Sequence, residues 1–325
     1  MEKKFDVVAL GEILIDFTFK GKTADGKNLF EENPGGAPAN CVAALSKLGG
    51  KGAFIGMTGR DSFGEDLRNV LEELKVSTAG LRTTKAQHTT LAFVSLDENG
   101  ERHFSFCRNP GADTQLSVED LNREILESAR ILHIGSLSLT DEPSKSAEEE
   151  AVRIVKNAGG LISYDPNYRA NLWGGREDAL AIIKGMIPQA DILKLSEEEF
   201  ELLYGKGRTK EDVADEILSG GTSLVLVTLG SEGVFYAFKN DSAAMDCGTV
   251  KAKKTKVVDT TGAGDSFNGG LLYRLTRKGS PLNFSRESLE DDLSFANTVA
   301  AICVSRRGAI PALPTLEKVV SFNPD

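Results

Sequence analysis

Asp259-Thr260-Thr261-Gly262-Ala263-Gly264-Asp265-Ser266-Phe267-Asn268-Gly269-Gly270-Leu271-Leu272 is the stretch that decides how this 325-residue chain folds. The β-branched approach from Lys256 to Thr261 predicts extended backbone, and Gly262, Ala263 and Gly264 predict a tight turn. After the turn, Phe267, Leu271, Leu272 and Leu275 fall on one face of a helix. Small residues at 262–264 let backbone N–H groups converge on an anion, and the helix adds its positive N-terminal end. Asp265 then stands as a lone base beside an anion cradle, an arrangement suited to moving a phosphoryl group. The turn alone equally fits a plain strand-to-helix connection with an Asp N-cap. Gly269 and Gly270 weigh against that: each costs about 1 kcal/mol relative to Ala inside a helix, so close packing or close backbone approach is expected to hold them.

Outward from this segment the chain reads as alternating strands and helices. Strands are expected at Val7–Leu10, Ala53–Gly56, Ile131–Gly135, Leu161–Tyr164, Ile192–Leu195 and Leu224–Thr228. The intervening helices include one from Gly35 that buries Ala39, Val42, Ala43, Leu45 and Leu48 and stops at Gly49-Gly50. Others are expected at 66–74, 145–158, 179–186, 197–203 and 211–218, and Ser117 with Asp120 resembles a capping box opening a helix to Ser128. Repeated βα units imply an α/β fold with a central, mainly parallel sheet and helices on both faces. Two β-rich pieces interrupt the alternation: the strands around 13–31, and the runs Thr89–Leu96 and Arg102–Phe106 joined by Asp97-Glu98-Asn99-Gly100, whose Asn-Gly signals a hairpin. The simplest account is a small β-sheet lid, 13–31 and 88–108, standing apart from a core of 1–12, 32–87 and 109–325. Such a sheet serves as a lid, as an oligomer interface, or as both.

Composition narrows the function classes. With 38 basic against 48 acidic residues, a net charge of -10 and no Lys/Arg stripe, nothing meets the phosphates of a nucleic acid. The basic cluster Lys251–Lys256 reads better as a solvated strand edge. No apolar run reaches the length of a membrane span, and Asp6 inside the first strand leaves no secretory signal visible. Cys41, Cys107, Cys247 and Cys303 show no paired or metal-ligand spacing, so each reads as a small buried hydrophobe in a reducing cytoplasm. His88, His103 and His133 have no partner at metal spacing, and His133, within Ile131-Leu132-His133-Ile134-Gly135, reads as a hydrogen-bonded structural residue. A Gly-x-Ser-x-Gly elbow, a Gly-x-x-x-x-Gly-Lys-Ser/Thr loop and a Gly-x-Gly-x-x-Gly after the first strand are all missing. That removes the serine-triad, P-loop and dinucleotide-binding readings.

In open α/β sheets, ligands bind beyond the carboxyl ends of the strands. Residues at those ends include Asp16, Gly35, Gly36 and Asn40, then Asp165-Pro166-Asn167-Tyr168-Arg169, then Leu229-Gly230-Ser231-Glu232-Gly233. Asp16, Asn40, Asn167 and Arg169 offer bidentate hydrogen bonds to vicinal hydroxyls, which suits a polyol such as a sugar. Each alone also fits a turn or an N-cap; gathered on one edge, they point to a site.

Gly35-Gly36-Ala37-Pro38-Ala39-Asn40, with Gly49, Gly56 and Gly59 beyond it, and Asp259–Asp265 followed by Phe267-Asn268-Gly269-Gly270, resemble the two signatures of the ribokinase-like (PfkB) carbohydrate kinases. The signatures lie about 220 residues apart, and the resemblance covers essentially the whole chain. Phe106–Asp113, Ile134–Leu139 and Tyr164–Arg169 with Leu172-Trp173 are most similar to fructokinases, and 2-keto-3-deoxygluconate kinases share parts of the last segment.

The resemblance implies an ATP-dependent kinase that phosphorylates a sugar, with fructose first and a sugar acid such as 2-keto-3-deoxygluconate as the alternative. A sugar- or nucleotide-binding regulator on the same fold is the non-catalytic alternative. Asp265 matches the general base, and Gly262, Ala263 and Gly264 match a backbone anion hole. Asp16, Gly36, Asn40, Arg108 and Arg169 match sugar contacts, which Gly35 and Asn167 adjoin. Thr228, Gly230, Gly233 and Asn297 match the nucleotide site, Asn297 near the adenine. Asp259 and the Thr261 carbonyl, with backbone of Cys303, Arg306 and Gly308, resemble a K⁺ site. Glu199 matches the acid of an Asn-x-x-Glu motif that organises Mg²⁺ through water, although here Ser196 takes the Asn position; its alternative role is a charged helix start. A homodimer is expected to pair through the lid.

Overall fold

The computed structural model describes residues 3–96, 102–240 and 242–323. Among them lie thirteen strands: β1 (Phe5–Leu10), β2 (Leu14–Lys22), β3 (Asn28–Gly35), β4 (Gly52–Gly59), β5 (Ser77–Thr84), β6 (Leu91–Leu96), β7 (Arg102–Cys107), β8 (Ala129–Ile134), β9 (Leu161–Tyr164), β10 (Ile192–Ser196), β11 (Leu224–Thr228), β12 (Val234–Lys239) and β13 (Met245–Val250). Nine form one sheet in the order β13-β12-β11-β10-β9-β8-β1-β4-β5. Its pairings are parallel from β11 through β5, and β12 runs antiparallel to both its neighbours. The inner strands are apolar on both faces: Val7, Val8, Ala9 and Leu10 are fully buried, as a sheet covered by helices on each side requires.

The other four strands make a separate sheet in the order β3-β2-β6-β7. β2 pairs antiparallel with β3 and parallel with β6, which pairs antiparallel with β7. β3 continues to Gly35 and so delivers the chain directly into the helix Ala37–Lys47. The Asn99-Gly100 turn expected between β6 and β7 lies outside the described residues. Phe17 stacks on Phe93 with ring centroids 5.1 Å apart, and Phe30 meets Phe93 edge-on at 5.7 Å, giving this thin sheet an aromatic face of its own.

The helix Ala263–Thr276 lies between two others, Ala37–Lys47 and Arg286–Val304, and its two glycines explain how. A Cβ on Gly269 would lie 2.5 Å from both the Ala44 Cβ and the Cys41 carbonyl, and one on Gly270 would lie 3.0 Å from Val299 Cγ2. Close packing on both sides is therefore what keeps glycine in this helix. Phe267, Leu271, Leu272 and Leu275 are buried as their spacing predicts.

Four expectations need correction. The approach to the 262 turn is not a strand: residues 251–260 follow the edge strand β13 without pairing in the sheet, so Lys251–Lys256 is not a strand edge. Val257 and Val258 are exposed, and the N–H groups of Val258 and Asp259 donate to the Val304 carbonyl instead. The Ser117–Asp120 capping box does form, but on a 3-10 turn of three residues. Leu121 then turns extended, and the helix restarts as Arg123–Glu127 under an Asn122 cap. Buried hydrophobe describes Cys41 and Cys303 but not the exposed Cys107 or the half-buried Cys247; all four are free thiols. Finally, β5, β12 and β13 extend the sheet beyond the strands expected from the sequence. His133 is buried, with Nδ1 3.1 Å from Ser163 Oγ, and burial pulls its pKa down to about 4, so it stays neutral.

Candidate active site

The carboxyl ends of β1, β9, β10 and β11 open into a cleft of about 400 Å³. The turn 260–265 lines one side of it. Gly262 adopts a left-handed conformation (φ 75°) as the N-cap of the helix Ala263–Thr276, and a Cβ there would lie 2.6 Å from the Ala309 side chain. Both facts require glycine. The helix thereby starts with its first amides facing the cleft end, where intrahelical acceptors are lacking. The Ala263 N–H also closes the turn onto the Thr260 carbonyl at 3.3 Å.

Asp265 sits in the first turn of this helix. Asn40 Nδ2, from the helix Ala37–Lys47, donates to Asp265 Oδ2 at 2.8 Å and fixes the carboxylate. Asn40 Oδ1 is buried and has no partner among the described residues, an acceptor suited to a substrate hydroxyl. Burial pushes the Asp265 pKa up to about 6; Asp165 raises it further, while the Asn40 hydrogen bond, Lys194 and Arg169 oppose the rise. A carboxylate with that value is a stronger base than an ordinary aspartate yet still ionised at neutral pH.

Asp16, Asn167 and Arg169 line the same cleft, as do Gly36 and Phe106 of β7. A Cβ on Gly35 would lie 2.2 Å from Asp16 Oδ2, so that glycine makes room for the Asp16 carboxylate. Burial pushes the Asp16 pKa to about 7, with Asp265 and Asp259 raising it and Arg169 lowering it. Asn167 reaches the cleft in a left-handed conformation (φ 47°) that asparagine tolerates.

Arg108 is placed elsewhere. Its side chain is buried, with Nε 2.7 Å from Asp113 Oδ2, one terminal nitrogen donating to Thr140 Oγ1 at 2.9 Å and the other to the Leu137 carbonyl at 2.8 Å. It pins the end of β7 to the core. At the other root of the four-stranded sheet, Asp61 accepts from both the Thr89 hydroxyl (2.7 Å) and the Thr89 N–H (2.9 Å), just before β6.

On the opposite side of the cleft, Thr228 and Glu199 line the wall. Glu199 is a capping residue: Oε2 accepts from the Ser196 N–H at 2.8 Å and Oε1 from the Tyr168 N–H at 2.7 Å. It thus ties the 165–169 loop to the start of the helix Glu197–Tyr204. Among the described residues no three acidic, His or Cys side chains cluster to cage a metal. The carboxylates of Glu198 and Glu199 on the cleft fit a hard cation held through water and brought on phosphates. Gly230 (φ 55°) and Gly233 (φ 106°) shape the turn after β11, and a Cβ on Gly233 would lie 2.0 Å from the Val250 carbonyl. Asn297 Nδ2 donates to the carbonyls of Val250 and Lys251, fastening the end of β13.

Asp259, Thr261, Cys303, Arg306 and Gly308 do come together. Asp259 Oδ1 accepts from the Thr261 N–H at 2.9 Å and Oδ2 from the Gly308 N–H at 3.0 Å. The Cys303 thiol lies 3.9 Å from the Thr261 carbonyl, and the Arg306 N–H donates to the Cys303 carbonyl. A carboxylate with neighbouring carbonyl oxygens suits a hard monovalent cation.

Two residues of this region, Glu12 and Lys194, carried no usable signal in the sequence. Glu12 accepts from the Ala37 N–H at 2.8 Å, and burial pushes its pKa to about 7. Lys194, on β10, pairs with Asp165 at 2.9 Å, and Asn268 donates to the same Asp165 oxygen at 2.8 Å. Both Glu12 and Lys194 line the cleft. Only their shared place at strand ends, known once the sheet order is known, could have suggested them.

The model of the pfkB family carbohydrate kinases matches residues 4–316. A probable fructokinase-2 of Arabidopsis thaliana is 43% identical over 318 residues, covering 97% of this chain and 95% of the relative. Fructokinase from Xylella fastidiosa, solved with bound ATP, has a TM-score of 0.89 at 34% identity and covers 97% of each chain. Fructokinase from Vibrio cholerae O395, solved with fructose, ADP and calcium, has a TM-score of 0.87 at 33% identity and covers 97% of this chain and 98% of that one.

Proposed function

The chain belongs to the pfkB family of carbohydrate kinases, and on that premise we propose that it is a fructokinase, transferring the γ-phosphoryl group of ATP to the 6-hydroxyl of D-fructose. It is an ATP-dependent sugar kinase. The observation that carries the reading is one cleft holding Asp265, its Asn40 tether, Asp16 and the 262–264 turn together.

Asp265 takes the proton from the sugar hydroxyl as that oxygen attacks the γ-phosphorus. The bond to the β–γ bridging oxygen breaks, and ADP leaves. A loose phosphoryl-transfer transition state leaves the protein to supply positioning and electrostatics. Backbone amides of the 262–264 turn, Gly262 and Gly264 first since the Ala263 N–H bonds the Thr260 carbonyl, meet the charge on the equatorial oxygens, and one such donor is worth about 3 kcal/mol of barrier. Mg²⁺, where bound with the nucleotide, neutralises phosphate charge, and Glu198 and Glu199 are placed to hold its water shell. Asp16, Asn40, Asn167 and Arg169 hold the sugar, Thr228 and the 230–233 turn face the nucleotide, and Asp259 with its neighbours would hold K⁺. The lid closes over the sugar and excludes water that would otherwise take the phosphoryl group.

A sugar acid fits less well. Pairing Arg108 with Arg169 against a carboxylate is not supported, since Arg108 is consumed by Asp113, Thr140 and Leu137. We further propose that two copies pair through their lids, where Leu29 (45%) and Phe30 (39%) are exposed large hydrophobics. Four free thiols support a reducing, cytoplasmic setting.

A coupled ADP-release assay across fructose, ribose, 2-keto-3-deoxygluconate and adenosine tests the substrate. The expected result is the highest kcat/KM with fructose; a preference for the acid overturns it.

A further inference from the structure

The anion loop has a side-chain cation beside it that the mechanism above does not use. Lys194 is nine-tenths buried, and its ammonium lies where a Cβ on Gly264 would come within 3.0 Å of Nζ. The missing side chain at 264 is what leaves room for it. Nζ spends one hydrogen bond on Asp165 Oδ2 at 2.9 Å, and no second partner is found for it among the described residues. Asp165 Oδ2 is in turn held by Asn268, one turn beyond Asp265 on the same helix, and Asp165 Oδ1 is buried with no partner among the described residues.

A buried ion pair is a poor device for stability, because desolvating both charges offsets their attraction. A buried ammonium with donors to spare, lining a cleft beside helix-start amides, is instead suited to an anionic ligand. We propose that Lys194 is a catalytic residue, its ammonium held by the Asp165–Asn268 pair and donating to an equatorial oxygen of the transferring phosphoryl group opposite the 262–264 amides. The inference rests on the kinase reading of the cleft.

Charge on Lys194 is secure. Burial works to lower its pKa, but Asp165, Glu199 and Asp265 outweigh burial and raise it. Lys194 in turn helps keep the Asp265 pKa down, together with the Asn40 hydrogen bond and Arg169 and against Asp165. Asp16 is the other carboxylate facing Asp265. Removing the ammonium must therefore move the acid limb of the rate profile to higher pH, which a merely structural strut would not do.

The test compares wild type, Lys194→Met and Lys194→Arg in full-length protein. Steady-state kinetics with ATP and fructose are run from pH 5 to 9, alongside calorimetric binding of ADP and of the non-hydrolysable ATP analogue AMP-PNP. For Lys194→Met we expect kcat about 10²-fold lower, fructose KM within threefold and an acid limb shifted upward. ADP affinity should stay unchanged while the extra affinity for AMP-PNP is lost; Lys194→Arg should recover at least tenfold in kcat. The proposal is overturned if Lys194→Met keeps kcat within threefold with an unmoved pH profile, or if ADP and AMP-PNP affinities fall together. Should Lys194→Met not fold, Lys194→Gln takes its place with the same criteria. The nucleotide comparison needs no sugar, so a failure of the fructose assignment leaves it readable.

Discussion

Asp16 and Asp265 face one cleft, and burial raises both, to about 7 and about 6. Asp265 is among the groups that raise Asp16, so the two carboxylates titrate over neighbouring pH ranges. A general base must be unprotonated, so kcat/KM for the sugar should be flat above neutrality. It should fall as pH drops through 7 to 6, approaching tenfold per unit below that. A pH–rate profile from 5 to 9 checks this, and a flat profile down to pH 5 would contradict the assignment. Asp265 was legible because a carboxylate directly after Gly-Ala-Gly at a helix start has a chemical reading of its own. Arg108 and Lys194 were not. A polar residue near a strand end reads the same whether it faces the cleft or the core, and only tertiary placement showed Arg108 locked on Asp113 and Lys194 beside Gly264.

The helix Ala263–Thr276 shows what the same substitution does in two settings. Gly269→Ala would gain about 1 kcal/mol of helix propensity. It would also force a methyl to 2.5 Å from Ala44 and the Cys41 carbonyl, and overpacking costs about 1–3 kcal/mol. Net destabilisation is expected. Gly185→Ala, in the helix Ala179–Met186 with nothing within 4 Å of the added Cβ, should stabilise by up to about 1 kcal/mol. Urea denaturation of the two variants decides the matter, and equal effects would show that the packing argument fails. Elements with strong local signals were readable for the same reason: Ala37–Lys47 has an unbroken apolar face. β5 and β13 were not, because Ser-Thr-Ala-Gly-Leu-Arg-Thr-Thr and Met-Asp-Cys-Gly-Thr-Val lack a run of large apolar residues and owe their place to pairing with β4 and β12. The extended turn at Leu121 likewise interrupts a helix that the capping box alone would let run on.

Across the whole molecule, two sheets divide the labour. The nine-stranded sheet positions the cleft, and the four-stranded sheet, pinned at its roots by Asp61 and by the Arg108–Asp113 pair, is the lid of the proposed reaction. If the lids of two copies pair, Phe30→Lys should convert a dimer to a monomer in sedimentation velocity, and unchanged sedimentation would refute lid pairing. The two-sheet plan was legible as an interruption of βα alternation, whereas the way the lid is fastened depends on contacts between residues distant in sequence. In the proposed reaction the cleft transfers a phosphoryl group to a sugar hydroxyl deprotonated by Asp265. Its most direct test is kcat of Asp265→Asn measured beside equilibrium binding of ATP and fructose. Binding within a few-fold of wild type with turnover abolished is the predicted result; retention of more than a few per cent of kcat would contradict the account.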